Sequence, residues 1–127
     1  MGARGVGSTS IRDQLHVAVT SPAEQIVIVA PKGEVDMATT PLLIERTLPE
    51  LRRGGHVVID LSGVTFLASR GVQALLELRS TAAEHGCQLH LVGELQPIVA
   101  RILGIAGVTC AETHAEDMAT RLDTSQA

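Results

Sequence analysis

His56-Val57-Val58-Ile59-Asp60-Leu61-Ser62-Gly63-Val64-Thr65-Phe66-Leu67-Ala68-Ser69-Arg70-Gly71 is the stretch from which the fold is read. Its first six residues show no polar alternation, the pattern of a central strand covered on both faces. Beyond Leu67 a helical period begins near Ser69 and runs to about His85, with Val72, Leu75, Leu76, Ala82 and Ala83 on one face. Arg79 interrupts that face and is expected to carry its charge outward along its aliphatic stem.

Towards the N-terminus, Leu15, Val17 and Val19 alternate with His16, Ala18 and Thr20. After the Ser21-Pro22 turn comes a second apolar run, Ile26-Val27-Ile28-Val29-Ala30, and the two runs read as an antiparallel pair. Gly33-Glu34-Val35-Asp36 ends the second strand. Thr40-Pro41 then supplies an N-cap and a proline at the first helical position, with Ile44, Leu48 and Leu51 as the buried stripe. Pro49 should bend or end this helix early and Gly54-Gly55 should stop it. Leu42 and Leu43 fall off the stripe and read as part of a contact patch.

Towards the C-terminus, Cys87-Gln88-Leu89-His90-Leu91-Val92 is a strand, and residues 97–103 are a short helix closed by Gly104 and Gly107. Val108-Thr109-Cys110 reads as a last edge strand, and Thr113 with Glu116 as a capping box on a final helix. Residues 1–12 lack a periodic apolar pattern and read as a flexible tail. The domain then spans 13–122 and residues 123–127 form a short C-terminal tail. Strands separated by helices demand parallel right-handed crossovers. The expectation is a single α/β domain: a mostly parallel sheet of four to five strands, an antiparallel N-terminal strand and about four helices.

Composition narrows the function. Ten Lys+Arg against 14 Asp+Glu leave 127 residues with a net charge of −4, the wrong sign for neutralising many phosphates. Phe66 is the only aromatic residue, so no stacking platform for nucleic-acid bases is expected either. No apolar run approaches the roughly 18 residues of a membrane span, and the start lacks a signal-type apolar region. Two cysteines, Cys87 and Cys110, are too few for a disulfide framework, which points to a reduced, cytoplasmic compartment. Whether those two could act as a redox pair depends on their Cα atoms lying within about 7 Å.

Catalytic motifs fail one by one. A nucleophile elbow at Ser69 would need glycine two residues before it, where Leu67 stands. Gly2, Gly5 and Gly7 imitate a phosphate loop without its lysine or its preceding strand. The five histidines show no pairing at ligand spacing, and Glu112, His114, Glu116 and Asp117 read as a solvated helix cap. Neither a metal nor a cofactor is expected, and no enzyme.

The segments at 33–36, 57–67 and 69–71, with Leu91-Val92-Gly93 and Ile98-Val99-Ala100-Arg101-Ile102-Leu103 behind them, resemble a STAS domain, most closely the bacterial anti-sigma factor antagonists. The resemblance covers about residues 13 to 122. It implies partner switching. Such an antagonist binds an anti-sigma factor that is a serine kinase and so frees a sigma factor; phosphorylation weakens the complex and a serine phosphatase restores it. Aligned on Gly71, the phosphoacceptor is Ser69, and Glu34, Asp36, Ala68, Ser69, Arg70 and Gly71 are the partner-binding residues. Asp60 is expected to orient the Ser69 loop. Apart from the resemblance, Ser69 reads as an ordinary N-cap, worth about 1 kcal/mol.

The family's turn reads Asp-Ser-Ser-Gly or Asp-Ser-Thr-Gly, whereas this one reads Ala68-Ser69-Arg70-Gly71. Two readings follow: Arg70 holds a phosphate on Ser69, or this member has left the phosphorylation cycle. The alternative duty is a STAS module docking on another partner, such as a transport ATPase. Weak homodimerisation through a short edge strand is left open.

Overall fold

The computed structural model describes residues 4–11 and 14–125. Along them run β1 (Arg4–Ile11), β2 (Leu15–Ala23), β3 (Ile26–Val35), α1 (Thr40–Leu51), β4 (Gly55–Asp60), β5 (Val64–Leu67), α2 (Ser69–Glu84), β6 (Cys87–Val92), α3 (Pro97–Ala106) and α4 (Ala115–Ser125). The strands form one sheet in the order β1-β2-β3-β4-β6, with β5 paired to β3. β1–β2 and β2–β3 are antiparallel; β3–β4, β3–β5 and β4–β6 are parallel, as the helical crossovers require. The chain is thus a single α/β domain with a mixed sheet, and the described residues hold six strands where the sequence suggests four to five.

Unalternating strands earn their pattern by facing two cores. Val27, Val29, Val57 and Ile59 pack with Leu43 and Leu51 of α1, Val72, Leu75 and Leu78 of α2, and Val99 and Leu103 of α3. Their neighbours Ile26, Ile28, Val58 and Val92 pack on the opposite face against Ala115 and Ala119 of α4. β2 has one buried side: Leu15, Val17 and Val19 are buried and His16 and Thr20 exposed.

Several expectations are corrected. Arg4–Ile11, read as part of a flexible tail, is strand β1, paired from Arg4 opposite Ser21 to Ile11 opposite Leu15. Its pairing uses backbone groups along the edge of β2, which require no apolar pattern. Residues 1–3 and 12 of that tail lie outside the described residues. α4 continues to Ser125, into the stretch read as the C-terminal tail. The edge strand expected at Val108-Thr109-Cys110 reduces to a single bridge between Ala111 and Val92.

In α1 the buried residues are Thr40, Leu42, Leu43, Thr47 and Leu51, so Leu42 and Leu43 are core and not a contact patch. The stripe runs through two threonines, which a reading of apolar residues alone skips. Pro49 lies in the last turn and α1 runs through it, forgoing the one bond that an N–H there would give Glu45 O. The N-cap is Thr39 and not Thr40. In α2 the buried face is Gly71, Val72, Ala74, Leu75, Leu78 and Ala82; Leu76, Ala83 and Arg79 lie outside it. The Thr113 capping box does not form: α4 begins at Ala115, and Thr113 Oγ1 accepts from Arg121 Nη2 at 3.4 Å.

Candidate functional site

β5 has four residues and pairs with β3 at its far end, placing Glu34 opposite Phe66 and Val35 opposite Leu67. One more hydrogen bond carries the contact into the next turn, where Ala68 N–H donates to Val35 O at 2.9 Å. Residues 33–36 and 68–71 thereby become neighbours. The join is tight: a Cβ on Gly71 would stand 2.7 Å from Leu67 Cδ1 and 2.8 Å from Val35 Cγ1. Gly71 is therefore a packing requirement and buried, which leaves Ala68, Ser69 and Arg70 as the turn's accessible residues.

Ala68, extended at φ −87° and ψ 167°, is the N-cap of α2 and Ser69 is the first helical residue, so Ser69 is not the cap. Its side chain is exposed and makes no hydrogen bond among the described residues. Gly71 and Val72 N–H both donate to Ala68 O, at 2.9 and 3.1 Å, which leaves the N–H groups of Ser69 and Arg70 open at the helix start, where the dipole places partial positive charge. Arg70 does not reach back to Ser69: its Nη1 lies 3.4 Å from Glu77 Oε1, two turns along α2. That pair is exposed and worth about 0.2–1 kcal/mol, little enough for a phosphate to compete with it.

Glu34 and Asp36 share a turn and differ in role. Asp36 Oδ1 accepts from Ala38 N–H at 2.9 Å and Thr39 N–H at 3.0 Å, while Thr39 Oγ1 accepts from Asp36 N–H and donates to Glu34 O at 2.7 Å. Asp36 is thus built into the entry of α1. The Glu34 side chain is exposed and bonds nothing among the described residues. Asp60 accepts from Ser62 N–H at 3.0 Å, and Ser62 Oγ accepts from Glu94 N–H at 3.1 Å. It orients the β4–β5 turn, and among the described residues it makes no hydrogen bond to 68–71.

Sequence reasoning missed the apolar surface beside this turn. Ser69, Val72, Gln73, Leu76, Ile102 and Ile105 line an open groove of about 460 Å³ between α2 and α3. Ile105 is 78% exposed, and Phe66 and Met37 are exposed at the ends of β5 and β3. The available signal was α3 itself, Pro97-Ile98-Val99-Ala100-Arg101-Ile102-Leu103-Gly104-Ile105-Ala106, with Arg101 its only charged residue where a surface helix should have a polar face.

The cysteines are not a redox pair. Cys87 opens β6 and Cys110 lies level with Leu91 near its end, about 13 Å away along the strand at its usual rise. Burial raises the Cys87 thiol, and burial with Asp60 and Glu112 nearby pushes Cys110 up to about 11. Glu112, His114 and Asp117 line a cleft with Glu94 and Cys110, but no group of three or more His, Cys, Asp or Glu among the described residues is arranged to hold a metal ion. Among the described residues no helix is long and apolar enough to cross a membrane.

The model of the STAS domain family matches residues 18–120. An anti-sigma factor antagonist from Mycobacterium paratuberculosis has a similar structure, with 24% identity and a TM-score of 0.73 over 89% of this chain and 97% of that one. So do the anti-sigma factor antagonist SpoIIAA in its unphosphorylated form (15%, TM-score 0.67, 80% of this chain and 92% of that one) and the Bacillus cell fate determinant SpoIIAA in the phosphorylated form (14%, TM-score 0.63, 80% and 96%). Among curated proteins none matches. These likenesses are of fold.

Proposed function

The chain belongs to the STAS domain family, and from that premise we propose that it is an anti-sigma factor antagonist, a binding module and not an enzyme. Its partner is an anti-sigma factor of the serine kinase type, and Ser69 is the phosphoacceptor, with a serine phosphatase reversing the modification. The supporting observation is the junction at which β5 and Ala68 join the end of β3, bringing the segment with Glu34 and Asp36 beside the turn that carries an exposed Ser69 on the lip of an apolar groove. The unphosphorylated protein presents this face to the partner: Glu34 and Ser69 as polar contacts, Leu76 and Ile105 as apolar anchors.

Phosphate on Ser69 meets the free N–H groups and positive end of α2, so the domain keeps its fold. The change falls on the partner instead. About two negative charges at the edge of an apolar contact must be desolvated or excluded, and a cost of about 3 kcal/mol already lowers affinity more than a hundredfold. Ala68 removes the negative charge the family carries before its serine, and Arg70 adds a positive one that can swing from Glu77 to a phosphate.

The test uses wild-type, Ser69→Ala and Ser69→Glu proteins as baits in extract of the native cell, with phosphosite mapping of each recovered bait. Recovery of a kinase-fold anti-sigma factor by the first two and not the third, with phosphate on wild-type Ser69, is the expected result. Equal recovery by all three without phosphate would replace it with the reading of a STAS module outside the phosphorylation cycle, and recovery of a transport ATPase would identify the alternative duty.

A further inference from the structure

His56 on β4 and His90 on β6 lie two residues out of register on adjacent parallel strands, on the face shared by Val58 and Val92. Their rings meet: His56 Nδ1 lies 3.0 Å from His90 Nε2, with ring centroids 5.2 Å apart and planes inclined by 26°. These positions were read from sequence as unpaired, because only the β4–β6 register brings them together. Two imidazoles at this spacing share one hydrogen between facing nitrogens, one donating and one accepting. Burial and the neighbouring His56 hold His90 below the usual histidine range.

We propose that His56 and His90 form a two-histidine site for a borderline divalent transition cation, Zn²⁺, Ni²⁺ or Cu²⁺. Cis ligands about 2.0–2.1 Å from such an ion, at angles between square-planar and tetrahedral, stand about 2.8–3.4 Å apart, and the observed 3.0 Å falls inside that interval. Each ring must turn from the line of the hydrogen bond by about 35–45° to aim its lone pair at a common ion. The hydrogen between the rings moves to the other nitrogen of its own imidazole, so the neutral pair binds without net proton release and a singly protonated pair releases one proton. β6 ends the strand order and both side chains are part-exposed, which leaves the remaining coordination positions to water. An ion held here staples the terminal strand β6 to its interior neighbour β4.

The experiment titrates the full chain with Ni²⁺ and Cu²⁺ separately by calorimetry at pH 7.5, and compares wild type with His56→Gln, His90→Gln and His114→Gln, the last being an exposed histidine elsewhere. One saturable site is expected in wild type and His114→Gln, weakened at least tenfold in each of the other two variants. The Cu²⁺ complex of wild type should show two coordinated imidazole nitrogens by electron paramagnetic resonance, and Ni²⁺ should raise its thermal midpoint and not that of His90→Gln. No saturable binding below about 1 mM, or equal binding by all four proteins, would overturn the site. Circular dichroism of the variants separates lost ligands from a lost fold.

Discussion

Gly71 and Asp36 hold the site together by different means. At Gly71 no side chain fits between Leu67 and Val35, both buried, so Gly71→Val forces β3 and α2 apart. The expected cost is about 1–3 kcal/mol in urea unfolding, with β5 loosened from β3. Asp36→Ala removes the acceptor of two backbone N–H groups and should cost about 1 kcal/mol. Glu34→Ala, beside it, should change stability by no more than about 0.5 kcal/mol and still weaken partner binding if Glu34 is a contact. Comparing these two variants separates the structural acid from the recognising one, a distinction that spacing within Gly33-Glu34-Val35-Asp36 does not contain.

Elements show where reading by periodicity stops. α2 was legible as a helix from Ser69 onward, but its buried face was shifted, since Gly71 and Ala74 count as core only when the opposing strand comes close enough. Leu76, read as core, is 42% exposed in the groove. Leu76→Glu should therefore leave thermal stability nearly unchanged and reduce affinity for the proposed anti-sigma partner at least tenfold by surface plasmon resonance, because it puts a charge among Val72, Ile102 and Ile105. If Leu76 were core, the same substitution would unfold the domain, so one protein preparation separates the two assignments. α1 gave the converse error: Leu42 and Leu43 looked spare because the stripe beside them contains Thr40 and Thr47.

For the whole molecule, burial of the two thiols makes stability depend on alkaline pH. Cys110 binds its proton in the folded state up to about 11 and in the unfolded state only to the ordinary value near 9.0. Between these values the native protein holds more protons, so stability falls as pH rises through that window. Cys110→Ser should flatten the fall, as followed by denaturant midpoints from pH 8 to 11, and native alkylation of Cys110 at neutral pH should be slow compared with the unfolded chain.

The sequence by itself determined the α/β class, the burial of β4 on both faces, the antiparallel pair β2–β3, the start of α2 and the family resemblance; the middle of the sheet, read as β4, is β3. All of these rest on patterns a few residues long, and local periodicity and turn chemistry act over that range. Only the tertiary structure decided what meets across distance. β5 on β3 sets Glu34 opposite Phe66, beside the Ser69 turn, β4 on β6 joins His56 to His90, and α2 beside α3 opens the groove. Each of these contacts depends on strand register or on a helix's rotation about its axis. One residue of slip would turn every side chain of a strand to the other face, and the whole core fixes that choice.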